Sequence, residues 1–248
     1  MPKASSAAAA PALQLDEVRR LFSGSCGRVT ALAGVTLGFG SGTFTAVVGP
    51  AGSGKSTLLR CAAGTDRPDS GRVALDGIAL ADRSEQELTL LRRGRIGLLT
   101  DAGRAQHGLT AYQNVALARR VAGYGADPQR VEAVLRRLGL HEVRHRRTSE
   151  LPDGQRHSVS VAQVLAGRPA TILADEPTGS LDAPSAHRTL ALLRGYVHAA
   201  RRTVVLATHD PVAASYADRV VFLRHGAVEG EMHRPTAAAI AERLTACS

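Results

Sequence analysis

Short apolar runs that end in chemically capable residues dominate the pattern of this chain. Phe44 to Val48 is a β-rich run that passes into a glycine loop, Gly49 to Gly54. Ser56 to Ala63 then reads as helix until Gly64 stops it. A second run, Thr171 to Ala174, ends in Asp175 and Glu176, and a third, "RTVVLATHD", reaches His209. Runs of this length without alternation suit strands buried on both faces. Two stretches, "GRVTALAGVTLGFGSGTFTAVV" and "SGRVALDGIAL", instead alternate like short strands separated by glycine turns. Helical punctuation is clear elsewhere. Ser84 with Glu87 and Thr110 with Gln113 form capping boxes, and Asp127-Pro128 opens a helix whose stripe is Val131, Val134, Leu135 and Leu138, closed by Gly139. Residues from about 105 to 162 thus read as a helical insertion in an α/β frame. No internal repeat is visible.

Composition narrows the class. The chain has 248 residues with 44% apolar content, enough for a buried core. No run approaches the roughly 18 apolar residues of a membrane-spanning helix, so membrane contact is expected only through a partner. The opening "MPKASSAAAAPA" lacks a signal peptide's leucine-rich segment and reads as a disordered leader over residues 1–12, which argues against export of the chain. Three scattered cysteines, Cys26, Cys61 and Cys247, have no metal-ligand spacing and fit a reduced cytosol. The formal charge of +9 comes from dispersed arginines without an aromatic-interleaved patch, so it reads as solvated surface and not as a nucleic-acid site. Only Lys3 and Lys55 are lysine among the basic residues. A chain that otherwise uses arginine has kept a compact, rotatable ammonium at Lys55.

Lys55 lies in G-x-x-x-x-G-K-[ST], read as Gly49, Gly54, Lys55 and Ser56 between a strand and a helix. Glycines let backbone N–H groups converge on a phosphate, the helix N-terminus adds its positive end, and the lysine reaches the β/γ oxygens. Ser56 would hold Mg²⁺. Asp175 and Glu176 at the end of a buried strand suit metal chemistry, one binding Mg²⁺ through water and the next activating the attacking water. His209 also ends a strand, where open α/β sheets place their ligands.

Phosphate loop, helical insertion, "LPDGQ", "ILADEPTGSLD" and "ATHD", in that order, resemble the ATP-binding subunit of an ABC transporter over about Leu13 to Glu231. "ADEPTGSLD" and "GTDRPDSGRVALDG" are most similar to the bacterial lipoprotein-release, macrolide-efflux and antimicrobial-peptide-efflux subgroup. The resemblance implies a P-loop NTPase with a RecA-like core, an N-terminal antiparallel β subdomain, an inserted helical subdomain and a helical tail over 232–248. It also implies ATP and Mg²⁺ as cofactors, a second ATP-binding subunit, an integral membrane permease and a place on the cytoplasmic face of the cell membrane. Carried over by position, Gly49, Pro50, Ala51, Gly52, Ser53, Gly54, Lys55, Ser56 and Thr57 are the Walker A loop. Asp175 is the Walker B aspartate, Glu176 the catalytic glutamate, Ser180 to Asp182 the D-loop and His209 the switch histidine. Phe22 falls where the family stacks an aromatic ring on adenine, with a core role as its alternative.

Two positions depart from the family. Asp101 stands where a glutamine would touch the metal and the attacking water, and Leu151-Pro152-Asp153-Gly154-Gln155 replaces Leu-Ser-Gly-Gly-Gln. In the head-to-tail dimers of this family, that signature loop, here with Asp153, Gly154 and Gln155, serves the partner's nucleotide. Pro152 removes a hydroxyl and an N–H, where a hydrogen bond to a charged group is worth about 1.5–3 kcal/mol. At roughly 4 Å and an effective ε near 20, the charge of Asp153 repels each unit of phosphate charge by about 4 kcal/mol before screening. The leading expectation is an ATP-hydrolysing exporter subunit weakened on its signature side. The alternatives are a regulatory ATP-binding subunit with little turnover, the degenerate half of a heterodimeric ATPase, and a soluble protein acting on nucleic acid. A single ATP-binding domain argues against the last.

Overall fold

The computed structural model describes residues 11–24, 27–100 and 105–246. Strands β1 (Leu13–Gly24) and β2 (Gly27–Phe39) pair antiparallel from Leu13↔Phe39 to Gly24↔Gly27. Next come β3 (Phe44–Val48), α1 (Lys55–Ala62), β4 (Ser70–Leu75), β5 (Ile78–Ala79), α2 (Glu85–Arg95) and β6 (Ile96–Leu99). The helical insertion holds α3 (Ala111–Val121), α4 (Pro128–Arg137) and α5 (Asp153–Gly167), with a short 3₁₀ turn at Thr148–Glu150. The chain then runs through β7 (Thr171–Asp175), α6 (Ala183–Ala200), β8 (Thr203–Thr208), α7 (Pro211–Ala214), β9 (Arg219–Arg224), β10 (Ala227–His233) and α8 (Ala237–Ala246).

Two sheets result. One is antiparallel in the order β2-β1-β4-β5; the other runs β10-β9-β3-β8-β7-β6, parallel except for β10 at its edge. Strand β3 is buried throughout, and its side chains alternate between two cores as the two-residue period of a strand requires. Phe44, Ala46 and Val48 join Ile172, Ala174 and Leu206 on the face covered by the helical insertion, whereas Val47 joins Leu173, Val205 and Val221 on the face covered by α1 and the antiparallel sheet. The apolar runs lack alternation because both faces are covered.

The helix signals appear as read. Both capping boxes close, with Ser84 accepting from the Glu87 N–H and Thr110 from the Gln113 N–H, and Asp127 accepts from the Arg130 N–H at 3.0 Å. The glycine turns at 40–43 and 76–77 separate β2 from β3 and β4 from β5 as read, but β2 itself is a single strand passing through Gly34 at φ 99°. Register shifts between Val18↔Val35 and Arg19↔Ala33, which leaves Gly34 as a bulge, a position where its positive φ costs little. Strand β1 gave no clear signal in the sequence, because its alternation is broken by the same shifts and by Glu17 at φ 49°. The N–H of Ala12 already joins the sheet, donating to Phe39 O at 2.9 Å, while residues 1–10 of the expected leader lie outside the described residues. Cys61 is buried in the second core, and burial pushes its thiol up to about 11. Cys26 and Cys247 lie outside the described residues.

Candidate functional site

The loop after β3 is fixed by backbone rather than by side chains. A Cβ on Gly49 would stand 2.1 Å from Leu223 O, and one on Gly54, at φ 104°, 2.3 Å from Ala31 O. Neither glycine can be replaced without moving the main chain. Gly52 faces open space, while Pro50 and Ala51 are exposed at the loop tip. Lys55 is 7% exposed and donates to Gly49 O at 2.7 Å and Pro50 O at 2.9 Å. Burial pushes its pKa down, and the nearby charges of Glu176 and Asp175 push it back up. Ser53 Oγ is buried with no hydrogen-bond partner among the described residues. Gly226, in the β9–β10 turn at φ 75°, donates its N–H to Ser53 O at 3.0 Å and accepts from the Ala33 N–H at 2.8 Å. It pins the loop to β2 and was not picked out from the sequence, where "RHGAVEG" marks only a turn.

Strands β7 and β8 deliver the acidic and imidazole groups. Asp175 ends β7 with Oδ1 buried and without a hydrogen-bond partner among the described residues, and burial pushes its carboxyl up while a hydrogen bond from Ser56 opposes the shift. Glu176 follows at φ 47°, held by its N–H to Ala207 O at 2.9 Å. Its Oε2 accepts from Thr208 Oγ1 at 3.0 Å, and its Oε1 accepts from the His209 N–H at 3.0 Å and lies 2.7 Å from His209 Nδ1. Thr208, also missed in the sequence, thus aims the carboxylate. The His209 side chain is 72% exposed, so its ring is open to a ligand.

A divalent cation fits here. Asp175 presents an unbonded buried oxygen beside the Ser56 hydroxyl, both hard oxygen ligands of the kind Mg²⁺ takes. Among the described residues no cluster of three or more His, Cys, Asp or Glu could hold a metal, so phosphate and water would complete its shell. Asp101, the other expected metal contact, lies outside the described residues.

Phe22 is half-buried on β1 opposite Val29, with the Arg20 guanidinium 4.9 Å from its ring centre. Two residues beyond Val29, the Ala31 carbonyl meets Gly54, so the β1–β2 ribbon flanks the phosphate loop.

The LPDGQ stretch lies elsewhere. Leu151 is buried in the first core, Pro152 occupies the N-cap of α5 without a side-chain cap, and Asp153 begins the helix. A Cβ on Gly154 would face Ser180 O at 3.7 Å and Leu181 at 3.8 Å, next to the D-loop. Gln155 Oε1 is buried with no hydrogen-bond partner among the described residues. His157 Nε2, 2.6 Å from Pro177 O, ties α5 to the segment after Glu176. The bare charge expected at Asp153 is not bare: its carboxylate pairs with Arg156, which also donates to Leu151 O at 3.1 Å. In one chain, therefore, Lys55, Ser56, Asp175, Glu176 and His209 converge, while α5 packs on α3, α4, α6 and β6 and meets the D-loop at Gly154.

Known proteins place this arrangement. Residues 32–179 match the family model described as ABC transporter. The chain is 36% identical over 219 residues to the lipoprotein-releasing system ATP-binding protein LolD 1 of Rhodospirillum rubrum, covering 88% of this chain and 97% of that one. It is 37% identical over 231 residues to the macrolide export ATP-binding/permease protein MacB of Hyphomonas neptunium, covering 92% of this chain but 36% of that longer protein. Among solved structures it resembles the ATP-binding cassette MJ0796, dimeric in a post-hydrolysis state bound to ADP and Pi, with a TM-score of 0.84 and 32% identity over 90% of this chain and 99% of that one. The chain belongs to the ABC transporter family, as one of its ATP-binding ATPase cassettes.

Proposed function

We propose that this cassette hydrolyses ATP on the cytoplasmic face of a bacterial membrane to drive an exporter whose membrane-spanning subunit is a separate protein, with an intact Walker side and a weakened signature side. The observation that carries the reading is the convergence of Lys55, the Ser56–Asp175 pair and the Glu176–His209 pair at the C-terminal ends of β3, β7 and β8. Bound Mg²⁺, held by Ser56 and Asp175, would neutralise phosphate charge. Lys55 exchanges its two loop carbonyls for phosphate oxygens. Glu176, aimed by Thr208 and the His209 N–H, takes a proton from the attacking water as the oxygen bonds to the γ-phosphorus and the bond to ADP breaks. The exposed ring of His209 faces the developing charge.

No described helix is long and apolar enough to cross a membrane, which supports a separate membrane subunit. A cleft of about 410 Å³ between α2 and β6 on one side and α3 and α5 on the other, reaching Thr100, offers that partner a seat. Export is favoured by the neighbours named for lipoprotein release and macrolide export, while relatives at 37% identity are named for methionine import. The second reading, a chain with little turnover of its own or the weak half of a heterodimer, is favoured by the proline cap of α5, which offers neither a hydroxyl nor an N–H.

Two variants test the reading. Lys55→Ala should weaken ATP binding about a hundredfold or more, whereas Glu176→Gln should bind ATP normally and lose turnover. ATP titration with phosphate-release assays separates them; unchanged hydrolysis in the Glu176 variant would remove its assignment as base.

A further inference from the structure

A second cavity, about 550 Å³, opens among α4, α5 and α6, within the size range of small-molecule sites. Four arginines line it: Arg130 and Arg137 from α4, Arg168 just after α5, and Arg202 just before β8. Between them the wall is apolar, with Val134, Leu165, Leu192 and the ring of Tyr196. Arginine is common in this chain, so crowding alone means little. What distinguishes the cavity is that four arginines without a carboxylate partner among the described residues line one concave, otherwise apolar wall. Arg20, Arg60, Arg95, Arg119 and Arg144 each meet a carboxylate, whereas among the described residues none of the four cavity arginines does. Asp127, at the N-cap of α4, is engaged by the Arg130 backbone N–H and by Arg119.

Arg137 and Arg168 are exposed at the rim of the cavity, whereas Arg130 and Arg202 sit deeper and are half-buried. Arg130 is half-buried, with Nε enclosed and lacking a hydrogen-bond partner among the described residues. Burial, then the like charges of Arg168 and Arg119, push its pKa down, with Asp127 opposing. Tyr196 donates its hydroxyl to Pro169 O at 2.8 Å, which fixes the ring, and burial pushes the phenol up to about 12 against the pull of Arg202, Arg168 and Arg130. The wall therefore supplies no anion of its own.

We propose that this cavity binds a phosphorylated organic anion, its phosphate on the arginines and its apolar body against Tyr196 and the aliphatic wall. Planar guanidinium forks match phosphate oxygens two at a time, and a phosphate monoester carries about 1.5 to 2 negative charges near neutral pH, more than one carboxylate can bring to four cations. The site is independent of the nucleotide reading, because it shares no residue with the Walker loops.

Calorimetric titration of phenyl phosphate into the full chain, and into the chain carrying Arg130→Gln with Arg137→Gln, tests this. Any phenyl phosphate taken by the Walker loop is common to both proteins, so their difference reports the cavity. Affinity should fall about tenfold in the double variant while the melting temperature holds, and in the unmodified chain inorganic phosphate and benzoate should each bind about fivefold or more weakly than phenyl phosphate. If the double variant melts early, Arg202→Gln carries the same comparison. Flotation with phosphatidic acid and phosphatidylcholine vesicles separates the sources: binding to the phosphatidic acid vesicles that vanishes in the variant assigns a lipid headgroup, and phenyl phosphate binding alone assigns a soluble phosphate. Equal affinity for phenyl phosphate in variant and unmodified protein overturns the site, and equal affinity for benzoate overturns the choice of phosphate.

Discussion

Asp175 illustrates how a single group can be poised for a ligand at the expense of the empty protein. Burial raises its pKa in the folded chain, so the native state binds protons more tightly than the unfolded one, and stability falls as pH rises through the unfolded value near 3.9 and then the raised native value. Asp175→Asn should therefore raise the melting temperature of nucleotide-free protein at pH 7 by about 2–4 °C, with the gain fading toward pH 4, while Mg²⁺-dependent ATP binding is lost. Calorimetry across that pH range checks the sign. At Phe22 the outcome discriminates two roles: Phe22→Ala should raise the ATP dissociation constant about five- to hundredfold, from the about 1–3 kcal/mol of a stacked base, with a smaller effect on apo stability. A loss mainly of apo stability would return the residue to the core. Lys55, Asp175, Glu176 and His209 were legible because their residue types follow buried runs. Thr208, Arg156 and Gly226 were not, since each acts through one contact made by folding, and such contacts leave no local pattern.

At the scale of elements, α5 begins with a proline cap and carries its own counter-anion. Asp153 in the first turn complements the positive end of the helix, and Arg156 neutralises much of its charge, so the repulsion inferred from the sequence overstates the penalty. The surviving defect is the missing hydroxyl and N–H at Pro152. Replacing Pro152 with Ser and Asp153 with Gly should tighten Mg-ATP-dependent dimerisation in the Glu176→Gln background and raise hydrolysis about tenfold in the otherwise native chain, equivalent to about 1.4 kcal/mol. Light scattering with and without nucleotide reads the first effect; no gain in dimer would show that the loop does not meet the partner's phosphate. Strands β3, β7 and β8 of the parallel sheet were readable because they are continuous apolar runs, whereas β6 and β9 were not singled out. The β1–β2 ribbon was not readable, because bulges at Gly34 and near Val18 shift its register and break the alternation that identifies such strands.

For the whole molecule, the parts of the nucleotide site come from widely separated stretches of chain, and Gly226 shows how far the separation goes. Its N–H holds Ser53 of the phosphate loop while its carbonyl takes the Ala33 N–H, and a Cβ there would stand 2.7 Å from Ala31 O and 2.9 Å from Leu32 Cα. Gly226→Ala should thus weaken ATP binding about tenfold without touching a phosphate, measurable by the titration used for Lys55. Synthesis runs in the other direction: residues 49–57 leave the ribosome long before the β9–β10 turn exists. A nascent chain that has made its phosphate loop cannot yet brace it, so stalled ribosomes carrying residues 1–215 should retain no ATP, whereas the released full-length chain should, and the cell would be spared a half-built cassette that consumes nucleotide.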